Sequence, residues 1–304
     1  MFSRLRARLN KQWFDHRCGE ITLTPPVVCE PESPVVFLTQ IYHRDVVMFL
    51  FAAKSLAQHL RPRSFVVVDD GLTGEDLALL TYHLSNVRFV QPSEVGLGPC
   101  PSEGTWERLL AIMDIVGDSY VIHLDADTLT IRQPTEVLDA VSKNQSFTLG
   151  TSRGQSITPL KESASLAERF RRRADAQIRA ERAFARYPGR ERLKYVRGSS
   201  SFTGFARGQF TRTEAETFSK NMAELIGESA WRGLGRASEQ IACNFLIANA
   251  PDARVLPLER YPTFEGRTGI VNDAAFVHFV GTHRFKRGLY VRLGRRLIRR
   301  LKKA

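Results

Sequence analysis

The stretch Ser119-Tyr-Val-Ile-His-Leu-Asp-Ala-Asp-Thr128 lies near the middle of this 304-residue chain. Its apolar part is typical of a buried strand, and it ends in Asp125 and Asp127. Side chains two residues apart in an extended segment point to the same side, so the two carboxylates can converge on one cation. Clustered acids repel each other unless a positive charge lies between them, and open α/β sheets bind ligands at the carboxyl ends of their strands. The stretch predicts a metal or ligand site, although an acid pair that only ends a strand and caps a turn would have the same spacing.

The segments around this stretch alternate between strand-like and helix-like patterns. Thr73, with Asp76 three residues later, predicts a capped helix start. Such an alternation predicts a largely parallel sheet with helices on both faces. Apolar runs predict strands at 34–39, 64–70, 86–90 and 120–124, and helical spacing predicts helices at 45–60, 73–84 and 105–116.

The pattern changes beyond residue 150. Residues 161–197 are rich in arginine and have a helical composition, which predicts one or two surface helices inserted into the domain. Small residues at 198–210 predict a loop and a strand. A helix is expected at 238–250 with Ser238 as its cap, and a late strand at 274–280.

Cysteine spacing and hydropathy indicate the cellular compartment of the protein. Cys18, Cys29, Cys100 and Cys243 lie far apart without a C-x-x-C pair, which argues against a disulfide framework and a structural zinc site. The longest apolar run, residues 46–53, is too short to span a bilayer, and the basic amino terminus lacks the apolar core of a signal peptide. We therefore expect a cytoplasmic protein.

The net charge of +12 is unevenly distributed. Residues 1–17, 161–197 and 284–304 carry +4, +7 and +10, so the rest of the chain has a net charge of −9. This segregation favours an anionic partner that is bound at particular places, such as phosphate groups or a negatively charged membrane surface.

A second chemical motif is His278-Phe-Val-Gly-Thr-His-Arg284. A lone histidine at a strand end is more often structural than a ligand, but here Gly281 permits a close backbone approach and Arg284 offers a bidentate fork for phosphate. Two carboxylates and an imidazole could hold a divalent ion that bridges a diphosphate leaving group. A mixed set of this kind suits Mn²⁺ somewhat better than Mg²⁺.

These motifs, in this order, resemble those of the family 8 retaining glycosyltransferases, relatives of glycogenin and of bacterial lipopolysaccharide galactosyl- and glucosyltransferases. Asp125-Ala-Asp127 is similar to the family's D-x-D metal motif, and His278 to Arg284 resembles H-F-x-G-x-x-K with arginine in place of lysine. The resemblance implies the A-type glycosyltransferase fold, which is α/β with a Rossmann-like, mostly parallel sheet flanked by helices. It also implies an enzyme.

The resemblance assigns roles to further residues. It implies that Asp125, Asp127 and His278 hold the metal, that Gly281 and Arg284 hold the diphosphate, and that Arg108 contacts the donor. Ser238-Glu-Gln240-Ile-Ala-Cys-Asn244 is similar to the family's D-Q-x-x-x-N stretch, so Glu239 and Gln240 are expected beside the sugar as the catalytic residues. The residues expected to contact the base and ribose are Thr39, Gln40, Tyr42 and Asp70, each of which could equally be an ordinary strand-end or turn residue.

On this basis the chain divides into a basic lead-in at 1–33, a catalytic domain at 34–283 that includes the insertion at 161–197, and a basic C-terminal segment at 284–304. In the C-terminal segment, apolar residues recur at helical spacing among arginines, which predicts an amphipathic helix that inserts among lipid headgroups. Residues 1–14 repeat this pattern with Phe2, Leu5, Leu9 and Trp13. The apolar residues of the C-terminal helix are Tyr290, Leu293, Leu297, Ile298 and Leu301.

The favoured function is a metal-dependent glycosyltransferase that moves a hexose from a nucleotide diphosphate sugar, with UDP expected, to a glycan or glycolipid acceptor. It would lie on the cytoplasmic face of a membrane with an anionic surface, and nucleic acid is not expected as a partner because no stacking aromatics accompany the basic patches. Retention of anomeric configuration follows from the resemblance, whereas the residues alone leave Glu239 open as a base for inversion. Two alternatives remain open: a nucleotidyltransferase that makes nucleotide sugars, and a non-enzymatic protein that binds membrane or nucleic acid.

Overall fold

The computed structural model describes residues 2–170, 176–266 and 271–303. The predicted strands and helices are present within these residues, with ends that differ by a few positions. Residues 171–175 of the predicted insertion lie outside the described residues. The strands are β1 Val35–Ile41, β2 Ser64–Asp69, β3 Val87–Val90, β4 Tyr120–Leu124, β5 Thr128–Thr130, β6 Phe147–Leu149, β7 Thr158–Pro159, β8 Lys194–Tyr195, β9 Ser199–Phe205, β10 Arg254–Leu256 and β11 Phe276–His278. The α-helices are α1 Phe2–Cys18, α2 Val46–Ala57, α3 Gly74–His83, α4 Trp106–Ile115, α5 Thr135–Ser142, α6 Leu160–Glu168, α7 Ala176–Ala183, α8 Arg212–Ile226, α9 Glu228–Arg232, α10 Arg236–Asn249 and α11 Leu289–Leu301.

The chain forms two compact units. The first consists of Met1–Val90, Leu124–Leu138 and Pro257–Ala304, and the second of Gln91–His123 and Asp139–Leu256. The lead-in and the C-terminal segment are therefore both part of the first unit.

Parallel pairing predominates in the strands of the central sheet. In the first unit β1 pairs in parallel with β2, with Leu38 opposite Val66, and β2 pairs in parallel with β3. In the second unit β10 pairs in parallel with β6, whereas β9 runs antiparallel to β6. The predicted α/β class with a mostly parallel sheet is confirmed.

Helix α2 belongs to the core of the first unit. It is apolar on all sides, and every residue of it except Val47 is buried, as expected for a helix without a polar face. Lys54 is the charged residue in this helix; its ammonium group donates to the carbonyl oxygen of Pro25, and burial lowers its pKa to about 8. The hydrogen bond ties the lead-in to the core.

Two helix starts test the predicted caps. Thr73 and Asp76 form the expected reciprocal box, in which the Thr73 hydroxyl accepts from the Asp76 amide and the Asp76 carboxylate accepts from the Thr73 amide. The expected cap at Ser238 is wrong, because α10 begins earlier and Gly235 precedes it. Ser238 lies in the first turn, where its hydroxyl donates to the carbonyl oxygen of Gly235 and accepts from the Trp106 indole.

The C-terminal helix α11 forms as predicted, but its apolar face is not available to lipid. The Tyr290 ring packs against Phe14 of α1 with centroids 4.6 Å apart and stacks on Phe279 at 4.2 Å. A Cβ at Gly294 would lie 3.0 Å from the Phe51 ring, so this glycine lets α11 approach α2 closely. The expectation that this face inserts among headgroups is corrected: the face completes the core of the first unit. Its buried residues are Leu289, Tyr290, Val291, Leu293, Gly294, Leu297 and Ile298.

The amino-terminal helix α1 contributes to the same core through Phe14 and Cys18, which are fully buried. Leu9 and Trp13 are 56% and 42% exposed, whereas the side chains of Phe2 and Leu5, expected on the same apolar face, lie outside the described set. Across the described part of the chain, we find no helix with the length and hydropathy needed to cross a bilayer.

Candidate metal centre

The three predicted metal ligands meet in the first unit. Strand β4 ends at Leu124, and Asp125 and Asp127 follow in the turn before β5. Strand β11 pairs antiparallel with β5 so that His278 lies opposite Thr128, directly beside the acid pair. This register explains how a histidine about 150 positions later in the chain reaches the two carboxylates. The burial of both short strands keeps the register fixed.

The geometry of the cluster fits a divalent cation. Asp125, Asp127 and His278 each offer one ligand atom, and these atoms all lie within 4.8 Å of one another. Asp127 and His278 are 8% and 7% exposed, and Asp125 is half-buried. Two carboxylates and one imidazole, shielded from water on most sides, are ligands that Mn²⁺ and related divalent ions accept.

Arg284 contacts the metal cluster directly. Its Nη2 atom lies 2.5 Å from Oδ2 of Asp127, and its Nε donates to the carbonyl oxygen of Phe279 at 3.2 Å. The backbone amide of Phe279 in turn donates to the carbonyl oxygen of Asp127. The residue expected to bind diphosphate is therefore adjacent to the metal ligands, with its charge directed at one of them.

Mutual charges, rather than burial, set the protonation of this group. Burial alone would raise the pKa of Asp127, but His278 and Arg284 outweigh it and lower the pKa to about 2. Burial alone would lower the pKa of His278, but Asp127 and then Asp125 raise it above the ordinary histidine value. Asp127 is therefore a carboxylate at neutral pH, ready to pair with a cation.

Gly281 stands between the metal ligand and the arginine in sequence and has a left-handed backbone. Its φ of +49° strains any residue with a side chain, and the position that a Cβ would occupy is open. A short 3₁₀ turn at Gly281–His283 then leads to Arg284. The backbone at this turn can be approached closely, as the expected diphosphate contact requires.

The strand-end residues expected to contact the base and ribose differ in whether their side chains can contact a ligand. Thr39 is fully buried, and its hydroxyl donates to the carbonyl oxygen of Leu124 at 2.8 Å. The structure therefore gives Thr39 a different role from the expected ligand contact: it holds the strand that leads to Asp125. Gln40 has a buried side-chain oxygen that accepts no hydrogen bond within the described part of the protein. This oxygen is therefore available to accept a hydrogen bond from a ligand.

The other two expected contacts are more accessible. The Tyr42 hydroxyl accepts from Arg44, whose guanidinium also lies over the Tyr42 ring at 4.7 Å. Asp70 is exposed, whereas its neighbour Asp69 is buried and accepts from the amides of Gly71 and Leu72. Asp69 therefore forms the turn, and Asp70 presents its carboxylate to solvent. Their ligand roles stay predictions.

Arg108 and Glu239 form a buried ion pair in the second unit. Nη2 of Arg108 lies 2.6 Å from Oε2 of Glu239, and the same carboxylate oxygen accepts from Thr105 and Ser200. Burial raises the pKa of Glu239, and Arg108 offsets part of this increase. The fold thus brings together Arg108, the expected donor-binding residue, and Glu239, the expected catalytic acid. Gln240 is half-buried, and its role also stays a prediction.

Comparison with known proteins identifies the fold. No protein-family model matches the chain, and no curated protein sequence matches it. Among solved structures, the galactosyltransferase LgtC in complex with donor and acceptor sugar analogues aligns with 87% of this chain and 95% of that chain, with a TM-score of 0.55 and 13% identity. An active-site mutant of LgtC aligns with 86% and 94%, with a TM-score of 0.52 and 12% identity. The chain has the A-type glycosyltransferase fold.

One residue near the metal cluster of this A-type glycosyltransferase fold was not expected from the sequence. Asp45 directly precedes α2 and is half-buried, and burial raises its pKa although the charge of Arg284 opposes the increase. Its charge also acts on Arg284, whose pKa is raised because Asp127 and Asp45 outweigh burial. The signal in the sequence was the segment His43-Arg-Asp45 after the first strand, because open α/β sheets bind ligands at the carboxyl ends of their strands.

Proposed function

We propose that the protein is a metal-dependent glycosyltransferase. It transfers a hexose from a nucleotide diphosphate sugar, with UDP as the expected nucleotide, to a glycan or glycolipid acceptor. The observation that carries the proposal is the cluster of Asp125, Asp127 and His278, whose ligand atoms lie within 4.8 Å of one another beside the guanidinium of Arg284. The A-type glycosyltransferase fold supports it.

The chemistry of such a transfer explains this set of residues. The bond between the sugar and the diphosphate breaks, and negative charge develops on the leaving diphosphate oxygen. A divalent ion held by the cluster, with Mn²⁺ preferred to Mg²⁺, would supply positive charge there. Arg284 adds a second positive charge, and the Gly281 backbone gives the diphosphate room.

The remaining roles follow from the resemblance to the family 8 enzymes. Gln40, Tyr42 and Asp70 bind the base and ribose, Arg108 binds the donor, and Glu239 with Gln240 lies at the sugar. We propose retention of anomeric configuration, because the Glu239 carboxylate already accepts hydrogen bonds from Arg108, Ser200 and Thr105 and is poorly placed to activate a water as a base.

The test is donor hydrolysis in the presence and absence of Mn²⁺. Asp127→Ala and the isosteric Asp127→Asn are compared with Asp118→Ala, which removes an exposed carboxylate outside the cluster. We expect the Mn²⁺-dependent rate to fall about a hundredfold or more in both Asp127 variants and to be retained in Asp118→Ala. Equal rates in all four proteins would remove the metal from the proposal. Pyrophosphate release from UTP and a sugar phosphate, without donor hydrolysis, would favour a nucleotidyltransferase instead.

We further propose that the protein is cytoplasmic and binds peripherally to an anionic membrane surface. The support is the group of arginines on α11, together with the exposed Trp13 on α1. Because the apolar face of α11 is buried, this contact is electrostatic rather than an insertion. Nucleic acid is not proposed as a partner.

A further inference from the structure

A basic groove lies along the C-terminal helix in the first unit and shares no residue with the metal cluster. Its volume is about 630 Å³, within the range of about 300–1,000 Å³ that is typical of sites for whole small molecules. Among the described residues that line it there are four arginines and no carboxylate. The arginines are Arg132, Arg292, Arg296 and Arg300, and the other lining residues are Ile131, Val271, Asn272, Leu289 and Leu293.

The helix holds three of these arginines in a fixed row. Arg292, Arg296 and Arg300 follow one another at four-residue spacing, so their side chains lie along one side of α11. Leu289 and Leu293, which are 1% and 8% exposed, fix that helix in the core. The row is therefore part of a rigid element rather than of a flexible charged tail.

The arginines of the row have no ion-pair partner in the part of the chain that the structure describes. No carboxylate among the described residues forms an ion pair with Arg292, Arg296 or Arg300, whereas Arg132 pairs with the largely exposed Asp273 at 3.7 Å. Like charges four residues apart destabilise a helix. An anion bound in the groove would relieve this repulsion and so stabilise the helix.

We propose that this groove binds a phosphorylated sugar. Guanidinium groups match phosphate oxygens in bidentate geometry, and several of them converge here. The groove is much larger than a phosphate ion, and the Asn272 amide can donate to and accept from hydroxyl groups. No aromatic residue among the described lining residues can stack on a base, and Leu289 and Leu293 are too buried to enter a membrane.

The inference deepens the proposed function, because it identifies the phosphorylated sugar as part of the acceptor. The phosphate binding itself does not depend on transfer. It is therefore measured without donor and with EDTA, so that a failure here leaves the result of the Asp127 hydrolysis experiment untouched.

The experiment is a calorimetric titration of the full-length protein with glucose 6-phosphate, glucose and inorganic phosphate. The groove variant Arg296→Gln/Arg300→Gln is compared with Arg295→Gln/Arg299→Gln. The second pair has the same spacing and charge loss on the same helix, but it lines a second depression with Trp13 and Arg17, which shares Arg292 with the groove. A titration with phosphatidylglycerol vesicles tests a lipid headgroup as the alternative source of phosphate.

We expect glucose 6-phosphate to bind more tightly than phosphate, and glucose not to bind. The groove variant should lose about tenfold or more of the affinity for glucose 6-phosphate, and the matched variant less than about twofold. Should the glutamine variant fail to fold, Arg296→Lys/Arg300→Lys keeps the charge but loses the bidentate geometry, and it should lose about threefold or more. Equal losses in the two glutamine variants would indicate long-range attraction only and would overturn the proposal. It would also be overturned by phosphate binding as tightly as glucose 6-phosphate, by no binding to the wild type, or by a groove variant that loses only vesicle binding.

Discussion

At the scale of single residues, the contact between Arg284 and Asp127 predicts a competition. Asp127 can pair with the guanidinium at 2.5 Å or with a metal ion, and both partners neutralise the same carboxylate. In Arg284→Gln we expect Mn²⁺ alone to bind more tightly than in the wild type. The same variant should bind UDP about tenfold to a hundredfold more weakly, because a charge-assisted hydrogen bond to phosphate is lost.

Manganese binding is measured by electron paramagnetic resonance and UDP binding by calorimetry. Arg284→Lys is the control, since it keeps the positive charge that the resemblance places there. It should lie between the wild type and the glutamine variant in both measurements. If Mn²⁺ affinity falls in Arg284→Gln, the arginine supports the metal site rather than competing with the ion.

A second residue-scale prediction concerns His83 and pH. His83 is fully buried, its Nε2 lies 3.1 Å from the carbonyl oxygen of Thr22, and burial followed by the charge of Lys54 lowers its pKa to about 4. Below the ordinary pKa of 6.5 the unfolded chain takes up the proton more readily than the folded protein does, so stability falls as the pH drops from about 6.5 towards 4. The full loss is on the order of 3 kcal/mol.

Urea unfolding at about pH 7 and about pH 5 measures this effect on the free energy of unfolding. In His83→Gln the pH-dependent part contributed by this residue should be absent, although the variant is less stable at both values. An unchanged pH dependence would mean that His83 titrates normally in the folded protein.

At the scale of elements, the box at the start of α3 predicts a local contribution to stability. Thr73→Ala removes a hydroxyl that accepts from the Asp76 amide, and it should lower the free energy of unfolding by about 1 kcal/mol. Thr81→Ala makes the same substitution at an exposed position inside the same helix, where alanine is the better helix former. It should be neutral or stabilising by a few tenths of a kcal/mol. Equal effects of the two variants, measured by urea unfolding, would contradict a capping role.

The elements themselves were largely predictable because their signals are local. The largely apolar run of β4, which His123 interrupts, and the apolar sequence of α2 both specify buried elements. The start of α10 was not predictable in the same way, since Gly235 stops the preceding turn with a positive φ of 54° and leaves Ser238 inside the helix. Amphipathic spacing in α11 predicted the helix but not what covers its apolar face, because only tertiary packing decides between a protein core and lipid.

At the scale of the whole molecule, the candidate metal site was predictable only in part. Asp125 and Asp127 are two residues apart, so their proximity was predictable, although they lie in the turn after β4 rather than on the strand itself. His278 joined them through the resemblance, and the physical cause is the β5–β11 register, which no local pattern encodes. The contact of Arg284 with Asp127 and the charge of Asp45 nearby depend on how three separate segments pack, so sequence spacing could not give them.

The uneven charge of the whole chain leads to a final prediction about membrane binding. The arginines of α11 are held on a helix whose apolar face is buried, so attraction to anionic lipid is electrostatic, at about 1 kcal/mol for each basic residue near the surface. Because salt screens exposed charges over a Debye length of about 8 Å at physiological ionic strength, binding to phosphatidylglycerol vesicles should fall more than about tenfold between about 50 mM and 500 mM NaCl.

Flotation measures this binding, with phosphatidylcholine vesicles as the uncharged control to which the protein should not bind. An inserted helix would behave differently, because burial of apolar side chains in lipid is not screened by salt. Insertion would also require α11 to leave Phe14 and Phe51, and amide hydrogen exchange in α1 and α2 would then increase on vesicle binding. Salt-resistant flotation with faster exchange would show that the packing of α11 opens at a membrane, whereas salt-sensitive flotation with unchanged exchange is the outcome that the buried face predicts.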